Sequence, residues 1–384
     1  SNQKFVAHIE SLGIVAPVKR SPTTGQMIPA LGKNDSGWKQ LVAKYPQHKH
    51  IWDARQAVKS RISETRAKRF LDVAHHDDTI SVPLKYYAAH TGRFGGTEKI
   101  NLQNLPRGSE LRKTLIAPDG HLLYVADLSN IEARMLAWLA GQEDLLEQFR
   151  RGEDIYSNFA SKIYNKPVNK KDHPTERFVG KTAILGLGYG MGHNKFKLTL
   201  ESGAAGPVMQ ITEAEALNVV STYRSTYNQI PLLWARLENL LKQSLHRDNY
   251  NVPYRNGVLT VQERSLVLPN GMALRYENLQ MLSQGLTYQT RGVIQEMTYG
   301  GRITENVIQA LSRIVITDSL LRLDKNLQNG RVALTVHDEI VIVASDQNPD
   351  ATMKAIIEDL CTPPTWAPDL PLSAEGGYDR MYSK

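Results

Sequence analysis

Residues 331–344, R-V-A-L-T-V-H-D-E-I-V-I-V-A, set three polar residues between two apolar extended runs. Runs of this length and β-branched content read as buried strands, so the stretch reads as a strand pair. Unpaired polar groups at the centre of a strand pair are costly. His337, Asp338 and Glu339 must therefore work or be paired, and of the two the functional reading is the stronger. A second short apolar run, 122–126, reads as another buried strand and delivers Asp127 at its end. Ser129 with Glu132 three residues on matches a capping box, which predicts a helix from there to about Leu139. Ile131, Met135, Trp138 and Leu139 would be its buried face. A carboxylate that leaves a buried strand just before a helix is a common place for a metal ligand.

The stretch 174–192, P-T-E-R-F-V-G-K-T-A-I-L-G-L-G-Y-G-M-G, adds cations to this arrangement. Arg177, Lys181, Leu185 and Tyr189 follow at steps of four, each overshooting a helical turn by about 40°, so they wind as one stripe. Pro174 suits the first turn, and the glycines at 186, 188, 190 and 192 suit a fading end. Two cations, an apolar residue and an aromatic suit a nucleoside triphosphate, with charge on the phosphates and flat surface against sugar and base. The plainer alternative is a surface helix with two solvated cations.

Around these lie weaker signals. Residues 3–12 place Phe5, Ile9 and Leu12 on one helical face, ending at Gly13. From about Trp38 to Val73 a helical pattern carries Arg55, Lys59, Arg61, Arg66, Lys68 and Arg69, able to track phosphates or simply to face water. Extended pieces at 80–87 and 122–126 flank a polar run holding Arg93, Asn101, Gln103, Asn104 and Arg107, which read as too polar for a core. Residues 144–165 suggest a helix pair, 212–243 long helices opened by a Thr212/Glu215 capping box, and 306–323 a helix bearing Gln309 and Arg313 one turn apart. Asn270-Gly271 between extended segments predicts a hairpin. Lys plus Arg exceed Asp plus Glu by 46 to 39, a net +7 that points weakly to a polyanionic partner. Cys361 is the only cysteine, which excludes an intrachain disulfide and a thiol metal cluster and points to a reducing compartment. No apolar run reaches membrane-spanning length. The first residue is Ser, so the expected start is a tag remnant or an internal cut, with a segment missing upstream.

Five motifs in order resemble family A DNA polymerases, the group of bacterial DNA polymerase I and many bacteriophage replicases. D-L-S-N-I-E-A-R is similar to the first catalytic motif, R-F-V-G-K-T-A-I-L-G-L-G-Y-G to the finger helix and V-H-D-E-I-V to the second catalytic motif. T-G-R-F-G-G-T-E-K-I-N-L-Q-N-L-P-R resembles the segment joining thumb to palm, and T-E-N-V-I-Q-A-L-S-R the phage-type helix near the primer terminus. The resemblance runs from about residue 85 to the end, with weaker thumb-like similarity before.

It implies an α+β, right-hand polymerase with an antiparallel-sheet palm, helical fingers and a partial helical thumb. The thumb would be 1–84, the palm 85–143 and 295–384, and the fingers 144–294. It implies template-directed addition of dNTPs to a primer 3′ end by two-metal nucleotidyl transfer. Asp127, Asp338 and the backbone carbonyl of Leu128 would hold two Mg²⁺ ions, for which Mn²⁺ can substitute, with Glu339 nearby. Arg177 and Lys181 would bind phosphates, and Lys181 would protonate the leaving pyrophosphate. Glu132 would crowd the sugar 2′ position, and Leu185, Tyr189 and Tyr156 would complete the dNTP site. Arg93, Asn101, Gln103, Asn104, Gln309 and His337 would meet DNA. Leu128 and Leu185 stand where aromatics are frequent, Tyr156 where His is frequent and Phe178 where Arg is. The implied partners are a primer-template and dNTPs, for a monomer in the cytoplasm of a bacterial or phage-infected cell, with an upstream exonuclease or thumb segment absent from this chain. A catalytically silent nucleic-acid-binding relative would have lost a metal carboxylate, yet Asp127 and Asp338 are both present. A single-subunit RNA polymerase shares the Arg-Lys-Tyr helix, but Glu132 and the N-L-Q-N segment argue against it.

Overall fold

The computed structural model describes residues 2–21, 26–32, 35–59, 62–74, 77–98, 100–247, 249–290, 294–327 and 330–383. In chain order, the first elements are α1 (Asn2–Ser11), β1 (Val18–Arg20), β2 (Met27–Pro29), α2 (Ser36–Lys44), α3 (Lys49–Lys59) and α4 (Ile62–Val73). They are followed by β3 (Leu84–Lys85), β4 (Gly95–Gly96), α5 (Glu110–Lys113), β5 (His121–Leu128) and α6 (Ile131–Ala140). The helices α7 (Glu143–Arg150), α8 (Ile155–Tyr164), α9 (Pro174–Leu187), α10 (His193–Glu201), α11 (Glu213–Thr226) and α12 (Gln229–Gln243) come next. Seven short strands follow: β6 (Asn251–Tyr254), β7 (Leu259–Gln262), β8 (Ser265–Val267), β9 (Ala273–Arg275), β10 (Gln280–Leu282), β11 (Gly285–Thr290) and β12 (Ile294–Met297). The chain closes with α13 (Gly300–Asn326), β13 (Gly330–Val336), β14 (Glu339–Ser345), α14 (Pro349–Leu360) and β15 (Ala374–Asp379). Two compact units result, one of residues 1–66 with 193–216, the other of 67–192 with 217–384.

In the first unit Phe5, Trp38 and Trp52 form a triangle of rings with centroids 5.5–6.4 Å apart, packed with Ile9, Ile14 and Leu41. Leu12 does not share the buried face expected of it. The helix ends at Ser11, and Leu12 turns outward, 41% exposed. The pattern from Trp38 onward is interrupted after Lys44, where Pro46 starts a short 3-10 turn between α2 and α3. Arg55 lays its guanidinium 4.3 Å over the Phe5 ring and donates to Asn2. Arg61 lies outside the described residues. The Thr212/Glu215 capping box forms in both directions, at 2.7 and 3.2 Å.

The second unit is built on a four-stranded antiparallel sheet in the order β13-β14-β5-β15. Period-two alternation sorts its side chains. Leu123, Val125, Val341, Val343 and Leu334 pack one face with Leu102, Leu105 and Tyr382. Tyr124, Ala126, Ile340 and Ile342 fill the other, all at 0% exposure, and α13 and α14 adjoin the sheet. Among its described residues the stretch 251–297 carries seven strands in two antiparallel sheets, where the sequence announced a single hairpin. That hairpin, β8–β9, exists. The Gly271 N–H closes a turn on the Leu268 carbonyl at 2.9 Å, with Pro269 at the second position and Gly271 at φ 80°.

Two backbone contacts fix α9. A Cβ at Gly180 would lie 2.3 Å from the Tyr156 carbonyl of α8, and one at Gly301 2.4 Å from the Tyr189 carbonyl. The Trp234 indole N–H of α12 also donates to the Gly188 carbonyl at 2.8 Å.

Candidate active site

Every candidate residue named from the catalytic motifs lies in the second unit. Asp127 is the next-to-last residue of β5, directly opposite Glu339 of β14 and Glu375 of β15. Val336 pairs with Glu339, so His337 and Asp338 are a two-residue connection, with His337 in the left-handed region at φ 56°. The Asp338 carbonyl accepts from the Leu128 N–H at 3.1 Å, which ties the turn to the strand that carries Asp127. Burial holds the Asp338 carboxyl above the ordinary range, and the charges of Asp127 and Glu132 push it further the same way. Two like charges are thus kept close at one sheet end. Among the described residues no group of three or more His, Cys, Asp or Glu side chains could hold a metal ion.

Glu132 sits in the first turn of α6, but the expected capping box is absent. The residue before the helix is Asn130, in the left-handed region at φ 56°, and no side chain caps the helix there. Asparagine tolerates that conformation, which moves the helix start past Ser129. The Glu132 carboxylate instead accepts from the Arg93 guanidinium, 39 residues earlier, and from the Tyr189 hydroxyl at 3.5 Å. Burial and the Glu132 charge raise the Tyr189 hydroxyl's pKa well above its usual value, so it stays a donor.

On α9, Arg177 is not a free cation. Its Nε and Nη2 reach the two oxygens of Asp154 at 2.6 and 3.2 Å, and its guanidinium lies 5.3 Å from the Tyr156 ring centroid. Asp154 also caps α8 through Ser157. Burial would raise its carboxyl, but the Arg177 and Ser157 hydrogen bonds prevail and hold it low. The Tyr156 hydroxyl donates to Asn130, which links this cluster to the start of α6. Lys181 and Leu185 are exposed on the same helix, Leu185 by 45%.

The polar segment after Gly92 divides. Asn104 and Arg107 are exposed. Asn101 accepts from the Gln103 N–H and opens a short 3-10 helix. Gln103, read as too polar for a core, is buried, and its amide donates to the Thr335 carbonyl of β13 at 3.0 Å. Gln309 accepts from Thr91 and donates to Glu305. Glu339 is also claimed. It is 4% exposed and takes the Arg112 guanidinium, equally buried, at 3.1 Å together with the Tyr382 hydroxyl. Arg112 in turn lies 3.6 Å over the Tyr382 ring. The sequence reading missed Arg112, Tyr382 and Asp154. Only Asp154 left a signal, as an acidic residue three before Ser157 at a helix start.

The sequence matches the family model described as DNA polymerase family A over residues 20–384. A DNA polymerase of Bacillus phage SP02 is 28% identical, across 85% of this chain and 56% of its own length. A thermostable DNA polymerase I of Thermus aquaticus is 25% identical, across 85% of this chain and 36% of its own. The chain thus spans little more than half of the first relative and about a third of the second. A solved POL domain of Pol1 from M. smegmatis, in complex with DNA primer-template and dNTP, matches the whole chain and 61% of its own, with a TM-score of 0.71 at 23% identity. That likeness is one of fold, the α+β right-hand polymerase architecture. With the motifs in order and the family match spanning nearly its full length, the chain belongs to DNA polymerase family A.

Proposed function

We propose that this chain adds dNTPs to the 3′ end of a DNA primer under the direction of a template. One observation carries the reading: the turn that bears Asp338 is tied to the strand that bears Asp127, although burial and the Asp127 charge oppose the ionisation of Asp338. Such a pair calls for cationic company. Hard oxygen donors without thiols or imidazole clusters fit Mg²⁺, which binds through one or two carboxylates and leaves its other positions to water and substrate phosphates. Asp127, Asp338 and the Leu128 carbonyl would hold two such ions, with Mn²⁺ able to substitute. When bound, the ions would lower the primer hydroxyl's pKa and neutralise phosphate charge.

The chain's own residues supply the rest. Lys181, exposed on α9, meets the triphosphate and gives its proton to the leaving pyrophosphate oxygen. Arg177 adds a second cation, already oriented by Asp154. Glu132, fixed by Arg93 and Tyr189, stands against the sugar 2′ position, with Leu185 and Tyr156 beside it. Arg93, Asn101, Gln103, Asn104, Gln309 and His337 line the primer-template path. In this reading residues 1–84 are the partial thumb, 85–143 and 295–384 the palm, and 144–294 the fingers. The protein acts as a monomer, and no described helix is long and apolar enough to cross a membrane.

Primer extension on a DNA template with Mg²⁺, dNTPs against rNTPs, tests the reading. Asp127→Ala and Asp338→Ala should each abolish extension while primer-template binding survives, because affinity comes mostly from cationic contacts to phosphate. Extension near the wild-type rate by either variant overturns the assignment.

A further inference from the structure

Residues 88–93 form a tight loop folded on itself. The Ala88 and Ala89 N–H groups both donate to the Arg93 carbonyl, at 3.0 and 3.2 Å, and the Gly92 N–H donates to the Ala89 carbonyl at 2.9 Å. Gly92 lies at φ 79°, and a Cβ there would come within 2.9 Å of the Tyr87 ring, so the turn needs glycine. Arg93, the last residue of the loop, is the one whose guanidinium engages Glu132. His90 stands near the tip. Its ring centroid is 5.2 Å from that of Tyr276 and 5.9 Å from that of Tyr288, and the two tyrosine rings are 5.1 Å apart. Three rings thus close a triangle between the loop, the residue after β9 and the middle of β11.

Two hydrogen bonds also fasten the loop, and both are long. The Tyr87 hydroxyl reaches the Ala273 carbonyl at 3.5 Å, and the Thr91 hydroxyl reaches the Gln309 side-chain oxygen at 3.4 Å. At such distances a hydrogen bond holds weakly, which leaves the ring contact as the main fastening. The His90 Nε2 is buried and has no hydrogen-bond partner among the described residues. A buried polar atom without a partner calls for a reason, and here the packing of the ring supplies it.

On the reading that this chain extends a primer, we propose that His90 is a positioning residue: its ring fastens the 88–93 loop, holds Arg93 on Glu132 and so keeps the Glu132 carboxylate against the incoming sugar. The fastening needs a neutral ring. Burial holds the imidazole below its ordinary range and the Arg302 charge of α13 adds to this, while the Glu296 carboxylate of β12 pulls the other way. Glu296 is itself engaged by Arg302. Tyr276 and Tyr288, the other titratable groups against the ring, are raised by burial and stay protonated. The docked ring therefore titrates lower than a released one. Docking is complete above about pH 6.5, the ordinary histidine value, and is lost as pH falls below it.

The test measures matched rNTP and dNTP incorporation from about pH 8 to about pH 5.5, the span of an ordinary histidine titration. The ratio of the two cancels acid effects common to both nucleotides. Wild type is compared with His90→Phe, His90→Ala, Arg93→Ala and the His90→Ala/Arg93→Ala double variant. The wild-type ratio should rise about tenfold toward acid, the scale of one lost charge-assisted hydrogen bond. His90→Phe keeps a ring without a titrating proton, so its ratio should stay at the wild-type neutral value throughout. His90→Ala should show the raised ratio at every pH. Once Arg93→Ala is made, adding His90→Ala should change the ratio no further. A wild-type ratio flat with pH, a His90→Phe ratio that climbs as wild type's does, or additive increases in the double variant would each overturn the proposal. His90→Phe decides the matter even where His90→Ala fails to fold. In all three cases dNTP extension by wild type leaves the polymerase reading standing, whereas wild type that does not extend a primer overturns both.

Discussion

Glu339→Ala separates support from chemistry at the sheet end. Glu339 and Arg112 are each 4% exposed, and the Arg112 guanidinium is pinned against the Tyr382 ring. Removing the carboxylate leaves that guanidinium charged and buried, with its Nε already lacking a partner. Breaking a buried pair from one side costs about 3–5 kcal/mol. The stranded Tyr382 hydroxyl would add about 1–3 kcal/mol if it acted independently. The two groups share one acceptor, so the losses overlap, and about 4 kcal/mol is expected. Against a typical stability of about 5–15 kcal/mol this is a large share. Urea unfolding at neutral pH should show it as a lower midpoint with an unchanged slope. Glu339→Gln keeps an acceptor and should lose about half as much. Arg112→Met combined with Glu339→Leu should recover most of the loss, because replacing both partners removes the stranded charge. An unshifted midpoint in Glu339→Ala together with lost primer extension would refute this reasoning and place Glu339 at the chemistry. Additive losses in the double variant would refute it as well.

Asp338→Asn should raise the thermal unfolding midpoint at neutral pH without divalent cations. The folded-state pKa of Asp338 is raised, so its stabilising contribution is complete below the ordinary carboxylate range and is lost as pH rises through the raised value. The gain should vanish in acid, and a lower midpoint for the variant at neutral pH would contradict it. Lys181→Ala should slow single-turnover incorporation by about 10²-fold or more while leaving DNA affinity unchanged, the scale of one electrostatic or general-acid contact. Incorporation within a few-fold of wild type would return that proton to another group. Glu132→Ala should raise ribonucleotide use relative to deoxynucleotide use, at a stability cost of about 1 kcal/mol or less because its pair with Arg93 is about a third exposed. Matched rNTP and dNTP incorporation decides it, and an unchanged ratio removes Glu132 from sugar selection.

What the sequence disclosed was local. Pro174 and the four-residue stripe marked α9 from its first residue, and two apolar runs around His337-Asp338 marked β13 and β14. Partnerships across long separations left no trace. Nothing in E-L-R-K shows that Arg112 will be buried against Glu339, 227 residues away, and a lone glutamine amid polar neighbours does not reveal that Gln103 supports a strand. The Ser129/Glu132 spacing was read correctly as a pattern and wrongly as a cap, because one left-handed asparagine shifted the helix start. Strands as short as three residues, such as β8 and β10, hold too few side chains for a period-two signal and form through their neighbours.

The near-contact at Gly180 has a mechanical meaning. With the α9 backbone seated against the Tyr156 carbonyl, and Arg177 clasped to Asp154 a turn earlier, α8 and α9 cannot slide past one another. Beyond Leu187 the chain is fastened again, by Trp234 at Gly188 and by the close approach of Gly301 at Tyr189. The helix is thus a beam clamped at both ends. The stretch left to bend between the clamps carries Lys181 and Leu185 on its exposed side and a glycine, Gly186, in its interior, where the missing side chain lowers helical stiffness. A displacement that brings Lys181 toward a phosphate must either flex this span or carry α8, Tyr156 and Asp154 along as one lever.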